Sequence, residues 1–321
     1  MGKRWMMVLA VLLLTAAAGT GVFSKTTQRS GKIAIAEQYG LAYAPLQVMK
    51  ELRLLEKEYP GVRVQWRQLG NTAAIREAMV AGEIDAGFMA IPPFLIGFDK
   101  GMDWKIASGL SESPVILLTN QARIKSIRDF GVKDRVALPQ PGSIQHILLA
   151  MACDKEWGDP KRLDNLLVTL AHPDGMNALL AGKEITAHFT TPPYLNRELE
   201  QPGIRRILDG REAMGTGFTF VVGVTTKSLY EKRNKEYRAF CAALNQAIGY
   251  VRRNPEKTAK LLTGQYKIPV VELEKLLTAP GNEYTTKIRG VERFAGFMVK
   301  AGYLSKMPDV KELFWSNANH E

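Results

Sequence analysis

The chain has 321 residues, 46% hydrophobic and 23% charged, which is enough apolar material for two domains of ordinary size and too much for a disordered chain. Two cysteines exclude a disulfide scaffold. The net charge of +11 arises from basic and acidic residues mixed together, as in residues 50–58 and 231–238. It includes no aromatic-interleaved basic block of the kind nucleic-acid binding needs, so a solvated surface is the expectation.

Lys3 and Arg4 precede an apolar stretch over residues 5–18. That stretch is too short to span a bilayer comfortably and fits a signal peptide, residues 1–24, cleaved after Ser24 or after Ala18. An uncleaved membrane anchor is the rival reading. The absence of a cysteine near the cleavage region excludes lipid attachment there. Loss of Lys3 and Arg4 lowers the net charge to +9 and leaves an exported protein, periplasmic in a bacterium with two membranes.

The mature chain opens on a buried-type strand at 32–36, followed by Glu37-Gln38-Tyr39-Gly40-Leu41-Ala42-Tyr43. Pro45 starts a helix with Leu46, Met49, Leu52 and Leu55 toward the core, and Tyr59-Pro60-Gly61 stops it. Residues 62–66 alternate as a strand should, and Gly70-Asn71-Thr72 caps the next helix. Further strands are expected at 104–109 and 114–118, the second crossing into another lobe. There, 136–138 is a strand, 139–142 a turn, and Ser143 an N-cap for a helix carrying Ile147, Leu148 and Met151. A strand at 167–170 leads through His172-Pro173-Asp174 into a helix, and 206–208 follows as an edge strand. The chain returns through 218–224, and after Lys227 the pattern is helical to the end, broken at Asn254-Pro255.

Residues 78–95 nearly repeat as 178–195, with one residue inserted at Lys183 and one lost before Pro192. A spacing near one hundred residues is too long for a solenoid and points to two similar lobes. The bland alternative is chance likeness of two Ala-rich helices. Each copy reads as a helix ended by Gly82 or Gly182, a short apolar strand, then paired prolines that suit the start of another helix. In open α/β sheets ligands bind beyond the carboxyl ends of strands, near free helix N–H groups. Two such ends can face one another across a cleft. Lobe 1 is then 25–118 with 221–321, and lobe 2 is 119–220. An oxidising compartment permits a bridge between Cys153 and Cys241, but they fall in different lobes, so buried free thiols are the expectation.

Ala42-Tyr43-Ala44-Pro45-Leu46, the block from Ala81 to Ala86, Pro139 to Ser143, Ala181-Gly182 with Pro192-Pro193, and Asn254-Pro255-Glu256 stand in order along the mature chain. In that order they resemble the solute-binding proteins of ABC importers, of the nitrate, sulfonate and taurine (bicarbonate) type. The resemblance implies a type II periplasmic binding fold, α/β, in which two parallel or mixed sheets flank a ligand cleft. It also implies a monomer that closes by hinge motion on a small organic or oxyanion solute and delivers it to the permease subunits, without cofactor or metal.

Carried over residue by residue, the resemblance places Gln38, Tyr39 and Tyr43 against the ligand, although a tyrosine here also serves as a core ring. Asn71 and Thr72 are either contacts or caps. Ala90, Pro92 and Phe94 line the first repeat loop, and Thr190, Thr191 and Tyr194 the second. Gly142 and Ser143 offer a hydroxyl and N–H groups at a helix start, which suits an anion or an ordinary cap. His146, a turn further on, reads as structural. Glu112 and Ser113 meet either a ligand amine or solvent. None of these loops carries an arginine, so an anion would be held by N–H groups and hydroxyls, or the ligand is neutral or aromatic.

Enzymes share this fold. A desulfinase needs a cysteine in the first lobe, and none precedes Cys153; a pyrimidine synthase of this type needs a cysteine-rich run. The four histidines show no HExxH spacing, and G-x-S-x-G is absent. The expectation is a binding protein, with a sensor module of the same fold as the alternative.

Overall fold

The structure, a computed structural model, describes residues 31–320, so the expected signal peptide and its cleavage sites lie outside the described residues. Eleven strands build its two main sheets. The first holds β1 (Lys32–Glu37), β2 (Arg63–Gln68), β3 (Ala86–Met89), β4 (Trp104–Glu112), β10 (Val221–Thr226) and β11 (Glu283–Tyr284). The second holds β5 (Ile116–Thr119), β6 (Val136–Leu138), β7 (Leu167–Thr169), β8 (Ala187–Thr190) and β9 (Arg205–Asp209). Their orders are β11-β4-β10-β3-β1-β2 and β7-β6-β8-β5-β9.

Both sheets are mixed, and in the same way. β1 pairs parallel with β2 and β3, and β6 pairs parallel with β7 and β8. β10 runs antiparallel to β3 and β4, and β5 runs antiparallel to β8 and β9. Because β5 already belongs to the second sheet, the outward crossing is the short segment 113–115 rather than the strand itself. The return runs over 215–220.

Helices α1 (Ala44–Glu51), α2 (Leu54–Glu58), α3 (Thr72–Val80) and α4 (Ile91–Asp99) accompany the first sheet; α5 (Ile144–Trp157), α6 (His172–Ala181), α7 (Tyr194–Leu199) and α8 (Gly210–Met214) accompany the second. The single helix expected from Pro45 is two. Arg53 takes a left-handed backbone with φ of 50°, which breaks the turn while Leu54 and Leu55 remain buried. Gly82 and Gly182 both have positive φ at the ends of α3 and α6, as the repeat requires.

α9 (Asn234–Arg253), α10 (Pro255–Tyr266), α11 (Val270–Leu277) and α12 (Val291–Lys300) follow, and α9 packs on α1 and α2. The tail is not helical throughout. Gly281 and Gly290, both at positive φ, bracket a stretch that extends into β11 and a short strand Lys287–Ile288 paired with Asn319–His320. The first core is aromatic, with Phe88 against Phe240 at 6.1 Å and Phe94 against Trp104 at 5.8 Å. Cys153 is buried in α5, but Cys241 is only half-buried in α9, because it lies at the edge of its helix's apolar face; both are free thiols.

Candidate functional site

Four helices begin where parallel strands end: α3 after β2, α4 after β3, α5 after β6 and α6 after β7. Their N-termini meet in one crevice. It is lined by Gln38, Tyr39, Tyr43, Thr72, Ala90 and Pro93 on the side of the first sheet, and by Pro139, Gln140, Ser143, Ile144, Gln145 and His172 on the side of the second. Phe220, on the return crossing, closes the back. The free space among these side chains is about 20 Å³, room for roughly one water.

Local chemistry explains how each group is held. Asn71 accepts the Ala74 N–H and caps α3, which sets Thr72 at the first helical position facing the crevice. The Gln38 amide donates to Thr72 Oγ1 at 3.1 Å and to the Phe88 carbonyl. Ser143 caps α5 by accepting the His146 N–H, and His146 Nδ1 accepts the Gly142 N–H at 2.9 Å. Gly142 itself is at φ of 79°, and a Cβ there would lie 2.8 Å from Ile96. The two halves touch directly across the crevice. The Ala73 N–H, in the first turn of α3, donates to Gln140 Oε1 at 2.8 Å, and the Leu41 N–H donates to the Pro192 carbonyl at 2.9 Å.

The lining is polar yet uncharged. None of the described residues that form it is Arg, Lys, Asp or Glu. What it offers is hydroxyls, side-chain amides and backbone N–H groups at the starts of α3, α5 and α6; the first turn of α4 holds Pro92-Pro93, which carry no N–H. Burial pushes the Tyr43 phenol well above its usual value, with the nearby Glu37 adding to the effect, so it stays a neutral donor.

Gln38, Tyr39, Tyr43, Thr72, Ala90 and Ser143 thus come together. Other candidates lie elsewhere. Pro92 is replaced in the lining by Pro93, because the second proline of α4 is the one turned toward the crevice. Phe94 is fully buried against Phe98 and Trp104. Asn71 and Gly142 act on the backbone. Glu112 is buried and ion-paired with Arg211 and Arg289, and the Ser113 hydroxyl donates to Asn282 Oδ1, so both tie the crossing down instead of facing the crevice. Thr190 and Thr191 are buried, and Tyr194 opens on a neighbouring recess with Arg197 and Lys267 while stacking on His172 at 5.9 Å.

Gln140, Gln145, His172 and Phe220 were not singled out in the sequence. The turn Pro139-Gln140-Pro141-Gly142-Ser143 carried a signal for Gln140, and the repeat carried one for His172, which aligns with Thr72. Both thiols are poor nucleophiles: desolvation pushes Cys153 up to about 12 and the half-buried Cys241 up to about 11. Among the described residues no group of three His, Cys, Asp or Glu side chains is placed to hold a metal ion, and no helix is long and apolar enough to cross a membrane.

The architecture is the two-lobed periplasmic binding protein fold, with the crevice beyond the carboxyl ends of the parallel strands. The chain belongs to the NMT1-like family, whose model matches residues 31–263. It is 25% identical over 223 residues to a putative aliphatic sulfonates-binding protein of Escherichia coli, covering 68% of this chain and 67% of that one. It is also 25% identical over 278 residues to the taurine-binding periplasmic protein of the same organism, covering 82% of each. Among solved structures, an alkanesulfonate-binding protein from Xanthomonas axonopodis pv. citri bound to MOPS superposes with a TM-score of 0.74. At 20% identity it covers 89% of this chain and 99% of that one, and it shares the fold.

Proposed function

We propose that this chain is the extracytoplasmic solute-binding component of an ABC importer. It captures a small sulfonate-, taurine- or nitrate-like solute between two lobes and passes it to the permease without making or breaking bonds. The observation that carries this reading is the convergence of four helix starts, two from each half, on one uncharged, donor-rich crevice. A group rich in acceptor oxygens would be the natural occupant. The relatives named as sulfonate- and taurine-binding support that class, and the periplasmic location of the taurine-binding one supports export through the segment at 1–24.

Lobe 1 would comprise 25–115 with 221–321 and lobe 2 116–220, the boundary moving from 118 to 115 because β5 belongs to the second sheet, with motion about the crossings near Glu112 and Phe220. The free space of about 20 Å³ is smaller than any such solute, so loading requires the halves to part. The contacts that must yield are the Ala73–Gln140 and Leu41–Pro192 hydrogen bonds and the Arg197 guanidinium on the carbonyls of Tyr266 and Lys267. A solute that bridges the two sets of helix starts favours the closed state by the difference in its contacts.

The test is a thermal-shift screen of residues 25–321 against sulfonates, taurine, nitrate, bicarbonate, amino acids and aromatic acids. A ligand at a hundred times its Kd stabilises by about 2.7 kcal/mol, a readable shift. Hits confined to amino or aromatic acids would overturn the oxyanion reading, and silence across the panel would count against the transport role.

A further inference from the structure

Behind the crevice a chain of four side chains runs into the second half. Gln145 Nε2 lies 3.2 Å from His172 Nε2, His172 Nδ1 lies 3.3 Å from His188 Nε2, and His188 Nδ1 lies 2.7 Å from Glu198 Oε1. His188 and Glu198 are wholly buried, and Gln145 and His172 line the crevice. Apart from the Thr190 hydroxyl set beside the Glu198 carboxyl, neither Glu198 Oε2 nor Thr190 Oγ1 has a hydrogen-bond partner.

The internal repeat marks this chain as built. Thr72, Gly87, Met89 and Phe98 of the first copy become His172, His188, Thr190 and Glu198 in the second. Room is made by an exchange between helix and strand. In the first copy a Cβ on Gly87 would lie 2.6 Å from Ile75, and in the second a Cβ on Gly175, the position of Ile75, would lie 2.5 Å from His188 Nε2. The bulk has moved from helix to strand, and what it brought is an imidazole.

We propose that Glu198 and His188 are positioning residues that fix the direction of this hydrogen-bond chain, so that Gln145 turns its amide N–H groups toward the solute. The inference rests on the crevice being the solute site. A neutral imidazole has one donor and one acceptor nitrogen, so the direction at one end sets the direction at the other. Burial pushes Glu198 up to about 9 and His188 down to about 3, and holds His172 below its usual value, with His188 beside it adding to this. All three are therefore neutral near pH 7.

The Glu198 proton sits on Oε1, because the Thr190 hydroxyl beside the carboxyl donates to Oε2; a proton on Oε2 donated to Thr190 would leave the Thr190 hydrogen as a buried donor without a partner. Oε1–H donates to His188 Nδ1, His188 Nε2–H donates to His172 Nδ1, and His172 Nε2–H is left as a donor. The Gln145 amide answers by a half-turn that offers its oxygen to His172, and its two N–H groups then face the crevice. The charged and titratable neighbours are Tyr194 of α7, stacked on His172, with Arg197 of α7, Asp174 of α6 and Tyr39 after β1 within range of Tyr194.

Nitrogen-detected NMR of the imidazoles tests this without any ligand, since the chain has only four histidines. His172 and His188 should each show one neutral form, protonated on Nε2, unchanged from pH 5 to 8. Glu198→Gln should keep that form, its amide N–H replacing the acid O–H, whereas Glu198→Met should let the forms mix. With propanesulfonate as probe, affinity should fall roughly tenfold in Glu198→Met, the worth of one oriented hydrogen bond, and stay within about threefold in Glu198→Gln. A proton on His188 Nδ1 in the wild type, a doubly protonated His188, or equal affinity in the Met variant would overturn the proposal. Failure of the wild type to bind propanesulfonate would count against the sulfonate reading, and the imidazole spectra would still decide the positioning role.

Discussion

The buried ionisable groups fix an unusual dependence of stability on pH. Glu37 is pushed up to about 8 and Glu198 to about 9, both chiefly by burial, against an unfolded value near 4.5. Each keeps a proton in the native state that the unfolded chain has lost, so each contribution to stability is lost as pH rises toward the folded value. His172 and His188 act in the opposite sense. Held below 6.5 by burial, they lack protons that the unfolded chain carries, and their contribution is lost as pH falls.

Between about pH 4.5 and 6.5 two extra native protons on carboxyls balance two missing from imidazoles, and stability should be nearly flat. Above 6.5 the histidines no longer differ between the two states, and the two carboxyls remain. The slope is then about 2.7 kcal/mol lost per pH unit, twice the one-proton value of about 1.4, until Glu37 begins to ionise near 8. Below 4.5 stability falls again, the more steeply because Asp134 and Asp129 are held below their usual range. Urea unfolding at half-unit steps from pH 4 to 8 measures this directly. Glu37→Gln and Glu198→Gln should each halve the alkaline slope. Stability that is constant or rising from pH 6.5 to 8 would refute the buried-acid assignment.

Phe94→Ala should cost about 3 to 5 kcal/mol in urea unfolding, because its ring is packed against Phe98 and Trp104; a loss under 1 kcal/mol would contradict its place in the core. Ser143→Ala should cost about 1 kcal/mol through the lost cap and also weaken solute binding in calorimetry. Gly142→Ala should destabilise by at least ~1 kcal/mol, since it needs positive φ and a Cβ meets Ile96 at 2.8 Å. An unchanged melting temperature would remove that constraint.

How far the sequence reached depends on what kind of physics placed each part. Helix and strand periodicity, Gly82 and Gly182 as helix ends and the paired prolines are local, and the elements they announce are present. The break at Arg53 was illegible, because an arginine at positive φ leaves no compositional mark and tertiary packing of Leu54 and Leu55 overrides the helical pattern. In the crevice, Gln38, Tyr43 and Ser143 are named by the family resemblance, and they line it because each sits in a loop at a strand end. Phe94 and Glu112 went elsewhere because aromatic packing with Trp104 and pairing with Arg211 and Arg289 involve residues far along the chain. Gln140 acts through a helix start 67 residues away, a contact that no window of sequence displays. The polar replacements in the second repeat copy were visible, yet their meaning needed the distances.

The central claim is that one solute is held by helix starts of both halves. It is tested most directly by calorimetric titration of the best ligand from the screen into wild type, Thr72→Val and Ser143→Ala, one variant from each side of the crevice. The account predicts that each substitution weakens binding roughly three- to tenfold, as expected for one lost hydrogen bond. Wild-type affinity in both would place the solute elsewhere, and loss in only one would confine the site to a single half and contradict closure of two lobes around it.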